Sequence, residues 1–146
     1  MSDNKALLDI DELMNLWTVP PDERVDPLAD FAELYADPVC VNGQPMALIA
    51  LVDRARALHT AFSDHHITVV DRLVTSDKVA VAFHHRARHA GPWATSLGVV
   101  PATGQEVQGL GIDIFTLRDG RVEQIWVLAD ELQRIQQVHR HGCKQP

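Results

Sequence analysis

The chain has 146 residues, of which 46% are hydrophobic, and a formal net charge of −7. This length predicts one domain over residues 1–146 that buries a full core without disulfides or metal. The acidic balance argues against binding to nucleic acid or to anionic membranes, and no apolar run approaches the ~20 residues of a membrane span. Cys40 and Cys143 are predicted to be unpaired. With no secretory pattern at the start, the chain is expected in the reducing cytoplasm.

Helices are predicted in the first part of the chain. Apolar residues at helical spacing indicate a helix over residues 4–16, and a polar, proline-rich loop follows over 18–27. A second helix is predicted over 28–36, and residues 39–43 indicate a short strand and turn. The clearest helical pattern runs from Gln44 to Phe62, with a proline in its first turn and no later breaker.

After residue 64 the pattern becomes typical of strands. Segments rich in β-branched residues predict four strands, over residues 66–76, 78–89, 105–117 and 121–130. Asp119-Gly120 separates the last two segments, and this pair is the strongest short-range hairpin signal. A last amphipathic helix is predicted over 131–138. Helices followed by a run of antiparallel strands predict the α+β fold class.

The predicted hairpin assigns side chains to two faces of a sheet. A two-residue turn at Asp119-Gly120 places Asp113 opposite Trp126, and faces alternate along each strand. The mixed face then carries Asp113, Phe115, Trp126, Leu128 and Asp130. The aliphatic face carries Ile112, Ile114, Ile125 and Val127. We expect the mixed face to line a pocket and the aliphatic face to meet a second subunit, which predicts a homodimer.

Several short motifs stand in a characteristic order, and none of them is specific alone. They are Phe62-Ser63-Asp64, Ser76-Asp77, His89-Ala90-Gly91, Pro101-Ala102-Thr103-Gly104 and Trp126-Val127-Leu128-Ala129-Asp130. Over residues 31–138 this order resembles the SnoaL-like polyketide cyclases, or ester cyclases, of the nuclear transport factor 2-like superfamily. The resemblance implies a cone-shaped α+β barrel, in which a strongly curved antiparallel sheet packs on N-terminal helices around a pocket.

The resemblance also implies a chemistry, the intramolecular aldol closure of a polyketide ring without a metal or an organic cofactor. Asp130 matches the acid/base carboxylate that the family carries in its last strand. An apolar wall of Trp126 and Leu128 would raise its pKa, so that it can take a proton from a carbon between two carbonyls. The structural alternative is a helix N-cap, because Asp130 directly precedes the last predicted helix.

Asp113 and His85 complete the predicted catalytic set. Asp113 is a candidate second acid, or a carboxylate coupled to Asp130, and a salt bridge to an arginine is its structural alternative. Alternation along the strand places His85 on the side of Val79 and Val81, as a donor to a substrate carbonyl or a proton relay. For His85 the alternative is a satisfied or half-exposed histidine without a catalytic role.

Five residues are predicted to contact an apolar small-molecule substrate: Trp126, Phe115, Leu128, Tyr35 and Asn42. The first three come from the mixed face. Tyr35 and Asn42 lie on the segment that borders the pocket mouth in this fold, with core packing and a turn role as their alternatives. The eight histidines lack the spacing of zinc motifs, so we predict no metal site.

The predicted function is a cofactor-independent cyclase or isomerase that acts on a polyketide-like molecule. One fold hosts many functions, and two alternatives stay open. The first is a non-catalytic small-molecule-binding or assembly domain. The second is an epoxide-hydrolase-like enzyme, which needs an Asp-Arg-Asp cluster; Arg72, Arg86 and Arg88 are its candidate arginines. The sequence does not identify the substrate.

Overall fold

A computed structural model describes residues 7–142, with side chains described for residues 7–138. The described helices are α1 (Ile10–Thr18), α2 (Pro27–Leu34), α3 (Leu48–Ala61) and α4 (Glu131–Gly142), with a 3-10 turn at Pro21–Glu23. The strands are β1 (Tyr35–Val41), β2 (Gln44–Met46), β3 (Phe62–Val74), β4 (Lys78–His89), β5 (Trp93–Thr95), β6 (Gly98–Val100), β7 (Glu106–Arg118) and β8 (Arg121–Ala129).

An aspartate side chain accepts a hydrogen bond from the first turn of each of the first three helices. Asp9 accepts a hydrogen bond from the backbone N–H of Glu12 at 3.0 Å, and Asp26 caps α2 in the same way. Asp37 reaches across from β1 to accept the N–H of Leu48 at 3.0 Å. Each carboxylate satisfies a free N–H and opposes the positive end of the helix dipole. These caps fix where the helices enter the fold.

Six strands form one strongly curved sheet in the order β2-β1-β8-β7-β4-β3. The pairs are antiparallel except β1 with β8, which is parallel. Helices α1, α2 and α3 pack on one face of this sheet and bury the main core. Its fully buried members include Phe31, Val39, Val52, Val81 and Val122. The predicted α+β fold with helices on a curved sheet is confirmed.

Long-range strand pairing changes several predicted boundaries in the first half of the chain. The second helix stops at Leu34 because the next residues form β1 beside β8. The third helix starts at Leu48 and not at Gln44, because Gln44–Met46 pairs with β1. Strands β5 and β6 form a separate hairpin that was not predicted. No helix in the described part of the chain has the length and apolarity to cross a membrane.

A β-bulge in the last hairpin corrects the predicted pairing. Arg118 pairs with Arg121, as the two-residue turn requires. Leu117 then pairs with Val122 and Thr116 with Gln124, so one residue of β8 is left between them without a partner. Such an extra residue reverses the alternation of the strand beyond it. Asp113 therefore lies opposite Val127, and the predicted pairing of Asp113 with Trp126 was wrong.

The corrected pairing redistributes the residues of β8 between the two faces. Ile125 and Val127 line the inner face with Asp113 and Phe115. Trp126 and Leu128, which are 46% and 73% exposed, lie with Ile112 and Ile114 on the outer face. The predicted assignment of residues to the pocket face and the opposite face was right for β7 and wrong for β8.

Candidate active site

A cavity of about 340 Å³ lies between helices α1 and α3 and the inner face of the sheet. This volume suits a small organic molecule. Its walls are mostly apolar, and their members include Leu13, Met14, Trp17, Leu51, Leu58, Phe62, Ile67, Phe83, Trp93, Phe115, Ile125 and Val127. The polar side chains along its lining are Tyr35, Arg54, His85, Asp113, Glu131 and Arg134. Phe115 lies where the sequence predicts it, as a cavity wall.

Asp113 presents a largely buried carboxyl group to this cavity from β7. Burial raises its pKa from 3.8 to about 7, because the apolar surroundings disfavour the charged form. Its Oδ1 atom has no hydrogen-bond partner, and the carboxyl group forms no salt bridge with a described residue. The structural alternative of an arginine pair is thus absent from the described residues. Near neutral pH the protonated and the ionised forms of the carboxyl group are thus both accessible.

Tyr35 lies deeper than the pocket mouth, buried at the start of β1. Its hydroxyl oxygen accepts a hydrogen bond from Nε1 of Trp17 at 2.9 Å. Burial raises the pKa of Tyr35, and the nearby charge of Asp113 adds to this effect. The phenol therefore keeps its proton at neutral pH. With its oxygen already accepting from Trp17, it can still donate to an oxygen inside the cavity.

His85 and His65 form a pair of imidazoles at another part of the cavity wall. Nε2 of His85 lies 2.9 Å from Nδ1 of His65, and Nε2 of His65 lies 3.0 Å from the carbonyl oxygen of Phe62. A carbonyl only accepts, so His65 must donate its Nε2–H to Phe62. Neutral His65 then accepts at Nδ1, which requires His85 to donate its Nε2–H. Nδ1 of His85 is left as a hydrogen-bond acceptor.

Both imidazoles are neutral near pH 7. Burial, followed by the charges of His65 and Arg134, lowers the pKa of His85 to about 3. Burial, followed by the charge of His59, lowers the pKa of His65 to about 4. The predicted face of His85 is confirmed by its burial and its place in the cavity. The bulge between Ser63 and His66 in β3 brings His65 to it, and the sequence shows no sign of this bulge.

Asp130 lies outside the cavity, contrary to the expectation from its motif. It is exposed, and its Oδ1 accepts the backbone N–H of Gln133 at 3.0 Å, which caps α4. The N-cap alternative therefore describes its position. Trp126 and Leu128 share the outer side of the sheet, so neither forms the apolar wall that was predicted for a catalytic Asp130.

Asn42 does not line the cavity either. Its side-chain amide bonds the backbone of Val127 twice: Nδ2 donates to the carbonyl at 3.3 Å, and Oδ1 accepts from the N–H at 2.8 Å. The Asn42 side chain thus continues the hydrogen bonding between β1 and β8 by one position beyond the end of β1. With φ at 50°, Asn42 also occupies a turn position that precedes Gly43. Its turn role, the alternative given above, accounts for both observations.

Sequence reasoning missed three charged residues that line the cavity, Arg54 on α3 and Glu131 and Arg134 on α4. Arg134 is only 6% exposed. A signal for it exists in the helix pattern: residues 131, 134, 135 and 138 form one stripe at helical spacing, and Val138 on that stripe is buried. A charged residue on the buried stripe of an amphipathic helix marks a site candidate.

The Asp-Arg-Asp cluster of the hydrolase alternative does not form around Asp113 among the described residues. Arg86 pairs with Glu106 at 3.7 Å and Arg88 with Asp64 at 3.9 Å, and Arg72 is exposed. Over the same residues, no group of three or more His, Cys, Asp or Glu side chains has the arrangement of a metal site. Cys40 is free, and Cys143 lies outside the described residues.

The fold is a curved sheet covered by helices, and its apolar cavity is lined by a largely buried carboxyl group. These features define an α+β protein with a pocket for a small molecule. The sequence matches the family model of the SnoaL-like polyketide cyclases over residues 15–138. The chain belongs to the SnoaL-like polyketide cyclase family. No curated protein matches the chain.

Solved structures support the fold. A SnoaL-like polyketide cyclase from Agrobacterium tumefaciens is 13% identical, with a TM-score of 0.70 over 94% of this chain and 98% of that one. TsrD from Streptomyces laurentii is 22% identical, with a TM-score of 0.71 over 88% of this chain and 93% of that one. At these identities the likeness concerns the fold alone.

Proposed function

We propose that the protein is a cofactor-independent cyclase that closes a ring of a polyketide-like molecule by acid/base catalysis, with Asp113 as the base. Family membership supports a cyclase role. The observation that carries the assignment of the base is Asp113 itself, a largely buried carboxyl group whose Oδ1 has no hydrogen-bond partner and whose pKa is raised to about 7. Such a group accepts and returns protons near neutral pH.

The proposed reaction begins with the ionised form of Asp113. It removes a proton from a carbon between two carbonyls, and the electron pair of the C–H bond forms an enolate. The enolate carbon attacks a second carbonyl of the same molecule, which forms the new C–C bond and an alkoxide. The alkoxide takes the proton back from Asp113. Substrate and product are isomers, so the step needs no co-reactant.

Tyr35 and His85 are proposed to position the carbonyl chain. The phenol of Tyr35 keeps its proton and lies close enough for the charge of Asp113 to act on it. It can therefore donate to the enolate oxygen that forms beside Asp113. His85 presents an acceptor, since its Nε2–H is directed to His65. It is therefore suited to accept from an enol or hydroxyl group, and not to donate to a carbonyl.

The test uses a synthetic aryl β-keto ester with a ketone placed to close a six-membered ring, with the product followed by mass-resolved chromatography. Asp113→Asn keeps the shape and removes the base, so kcat/KM should fall on the order of 100-fold or more. Asp130→Asn is the matched control, and it should keep turnover near that of the unchanged chain because Asn still caps α4. Unchanged turnover in Asp113→Asn, or a loss confined to Asp130→Asn, would contradict the proposal. Binding of the probe without any turnover by the unchanged chain would favour a binding-only role.

A further inference from the structure

A second polar region lies along the cavity where α4 meets β7. Arg134 is buried there, and its guanidinium group has no salt bridge or hydrogen bond to a described residue; its Nε atom is fully buried without a partner. A buried charge is costly unless an opposite charge or hydrogen-bond acceptors compensate it. The cavity that Arg134 lines is where such a partner can bind.

The acidic residues nearest along α4 are engaged elsewhere. Glu131 lines the cavity one turn before Arg134, but its Oε1 accepts from the hydroxyl of Ser96 at 2.6 Å and from the N–H of Ser96 at 3.4 Å. Asp130 is exposed and caps α4 through Gln133; its charge acts on Arg134, but the two side chains form no ion pair. Neither carboxylate comes within salt-bridge distance of Arg134. The guanidinium group therefore keeps its capacity to bind an anion.

Gly109 on β7 makes room for this guanidinium group. A Cβ atom at residue 109 would lie 3.1 Å from Cζ and 3.3 Å from Nη2 of Arg134, which is tighter than ordinary packing. Gly109 is the strand partner of His85. Arg134 therefore packs against the backbone of β7 at Gly109, and it is close enough to His85 for its charge to act on that imidazole. This places a planar cation beside a neutral histidine.

The Arg134 region and Asp113 are far apart along the same strands. His85 pairs with Gly109 and Val81 pairs with Asp113, so the two positions are four residues apart along each strand, or roughly 13 Å of extended strand. Between them Phe83 lies over Gly111, where an added Cβ would collide with the ring. The cavity surface between the two polar positions is thus aromatic and apolar.

We propose that Arg134 binds a carboxylate at one end of an elongated apolar substrate whose reacting carbons lie near Asp113. A guanidinium group offers a planar pair of N–H donors that matches the two oxygens of a carboxylate. The apolar surface between Arg134 and Asp113 suits a ring system and not a second charged group. The choice of reacting carbon rests on the proposed function above, whereas binding of the carboxylate does not.

The first measurement is made at neutral pH with the unchanged chain and two probes of nearly equal shape. Isothermal titration calorimetry compares 1-naphthaleneacetate with its uncharged analogue 1-naphthaleneacetamide. A charge-assisted pair in a buried site should favour the carboxylate on the order of 10-fold or more in Kd. The overall negative charge of the chain acts against this preference, so a preference for the anion reports a local site. Equal affinity for the two probes would overturn the proposal.

The second measurement locates the preference. Arg134→Met keeps the length of the side chain and should reduce the preference to within about 3-fold, whereas Arg134→Lys keeps the charge without the planar donors and should retain part of it. The matched control is Arg54→Met, because Arg54 lines the same cavity but is exposed. A preference that survives in Arg134→Met and disappears in Arg54→Met would contradict the assignment to Arg134.

A third variant tests carboxylate binding by Arg134 independently of the proposed reaction at Asp113. Asp113→Asn should bind 1-naphthaleneacetate as the unchanged chain does, because Asp113 lies far from Arg134 along the sheet. If Asp113→Asn remained an active cyclase, the choice of base would fail and carboxylate binding by Arg134 would still stand. Loss of carboxylate preference in Asp113→Asn would contradict the proposed separation of the two positions.

Discussion

The inner face of β7 and the end of β8 each carry an aspartate, and the two side chains lie in opposite environments. On the inner face, Asp113 is buried beside apolar walls and its pKa rises to about 7. Directly after the end of β8, Asp130 is exposed and caps α4. The outer face exposes large apolar side chains, among them Trp126 and Leu128. Burial beside apolar walls thus prepares Asp113 to act as a base near neutral pH.

The largest effect that we expect from the burial of Asp113 is on stability, which should depend on pH differently in Asp113→Asn and in the unchanged chain. The folded chain keeps the Asp113 proton up to about pH 7, whereas the unfolded chain loses it near 3.8. The contribution of Asp113 to the stability of the unchanged chain therefore falls as pH rises between these values, and above pH 7 this loss is complete. A shift of this size corresponds to about 4 kcal/mol as an upper bound.

Urea unfolding at several pH values from 4 to 8 measures this effect. The difference in unfolding free energy between Asp113→Asn and the unchanged chain should move in favour of the variant as pH rises to 7, and then stay level. Contributions from His65 and His85 are shared by both proteins and cancel in the difference. A difference that stays constant over this range would show that Asp113 is not perturbed by burial.

The outer face of the sheet allows a second test, because it exposes apolar side chains where the inner face buries them. Leu110, Ile112, Trp126 and Leu128 expose apolar surface on neighbouring strands. We propose that a second copy covers this face in a two-fold homodimer, which keeps the predicted dimer but moves its interface from the predicted aliphatic set. The inner-face residues Ile125 and Val127 of that set line the cavity.

Light scattering after size exclusion tests the proposed dimer. The unchanged chain should be a dimer at micromolar concentration, and Ile112→Lys should shift it to a monomer by burying an unpaired charge in the interface. Gln133→Lys, at an exposed position of α4, is the control and should stay dimeric. A monomeric unchanged chain would contradict the proposed interface.

Much of the sheet could be predicted because its side-chain period is local. The predicted strand over residues 78–89 matches β4, and alternation alone places His85 on the inner face. Asp113 and Phe115 were placed correctly because β7 and β4 pair without interruption. The period of two is a property of the backbone, so it survives wherever no residue is inserted.

The remaining errors come from features without a local signal. The extra residue in β8 reverses the faces of every residue after it, and nothing in the sequence around Glu123 announces a bulge. The resemblance reinforced the error, because its terminal motif selected Asp130. Arg134 is different: the helix pattern carried a signal for its burial, but the room that its guanidinium group occupies depends on the absence of a side chain at Gly109 on a distant strand.

The most direct test of the central claim is the titration of Asp113 itself. Carbon-13 NMR of the aspartate carboxyl groups, with Asp113→Asn used to assign the resonance, measures its pKa in the folded chain. A midpoint near 7 is the predicted result, since burial without a partner favours the protonated form. A midpoint near 4 would mean that the carboxyl group is solvated or paired, and would contradict Asp113 as the base of the reaction.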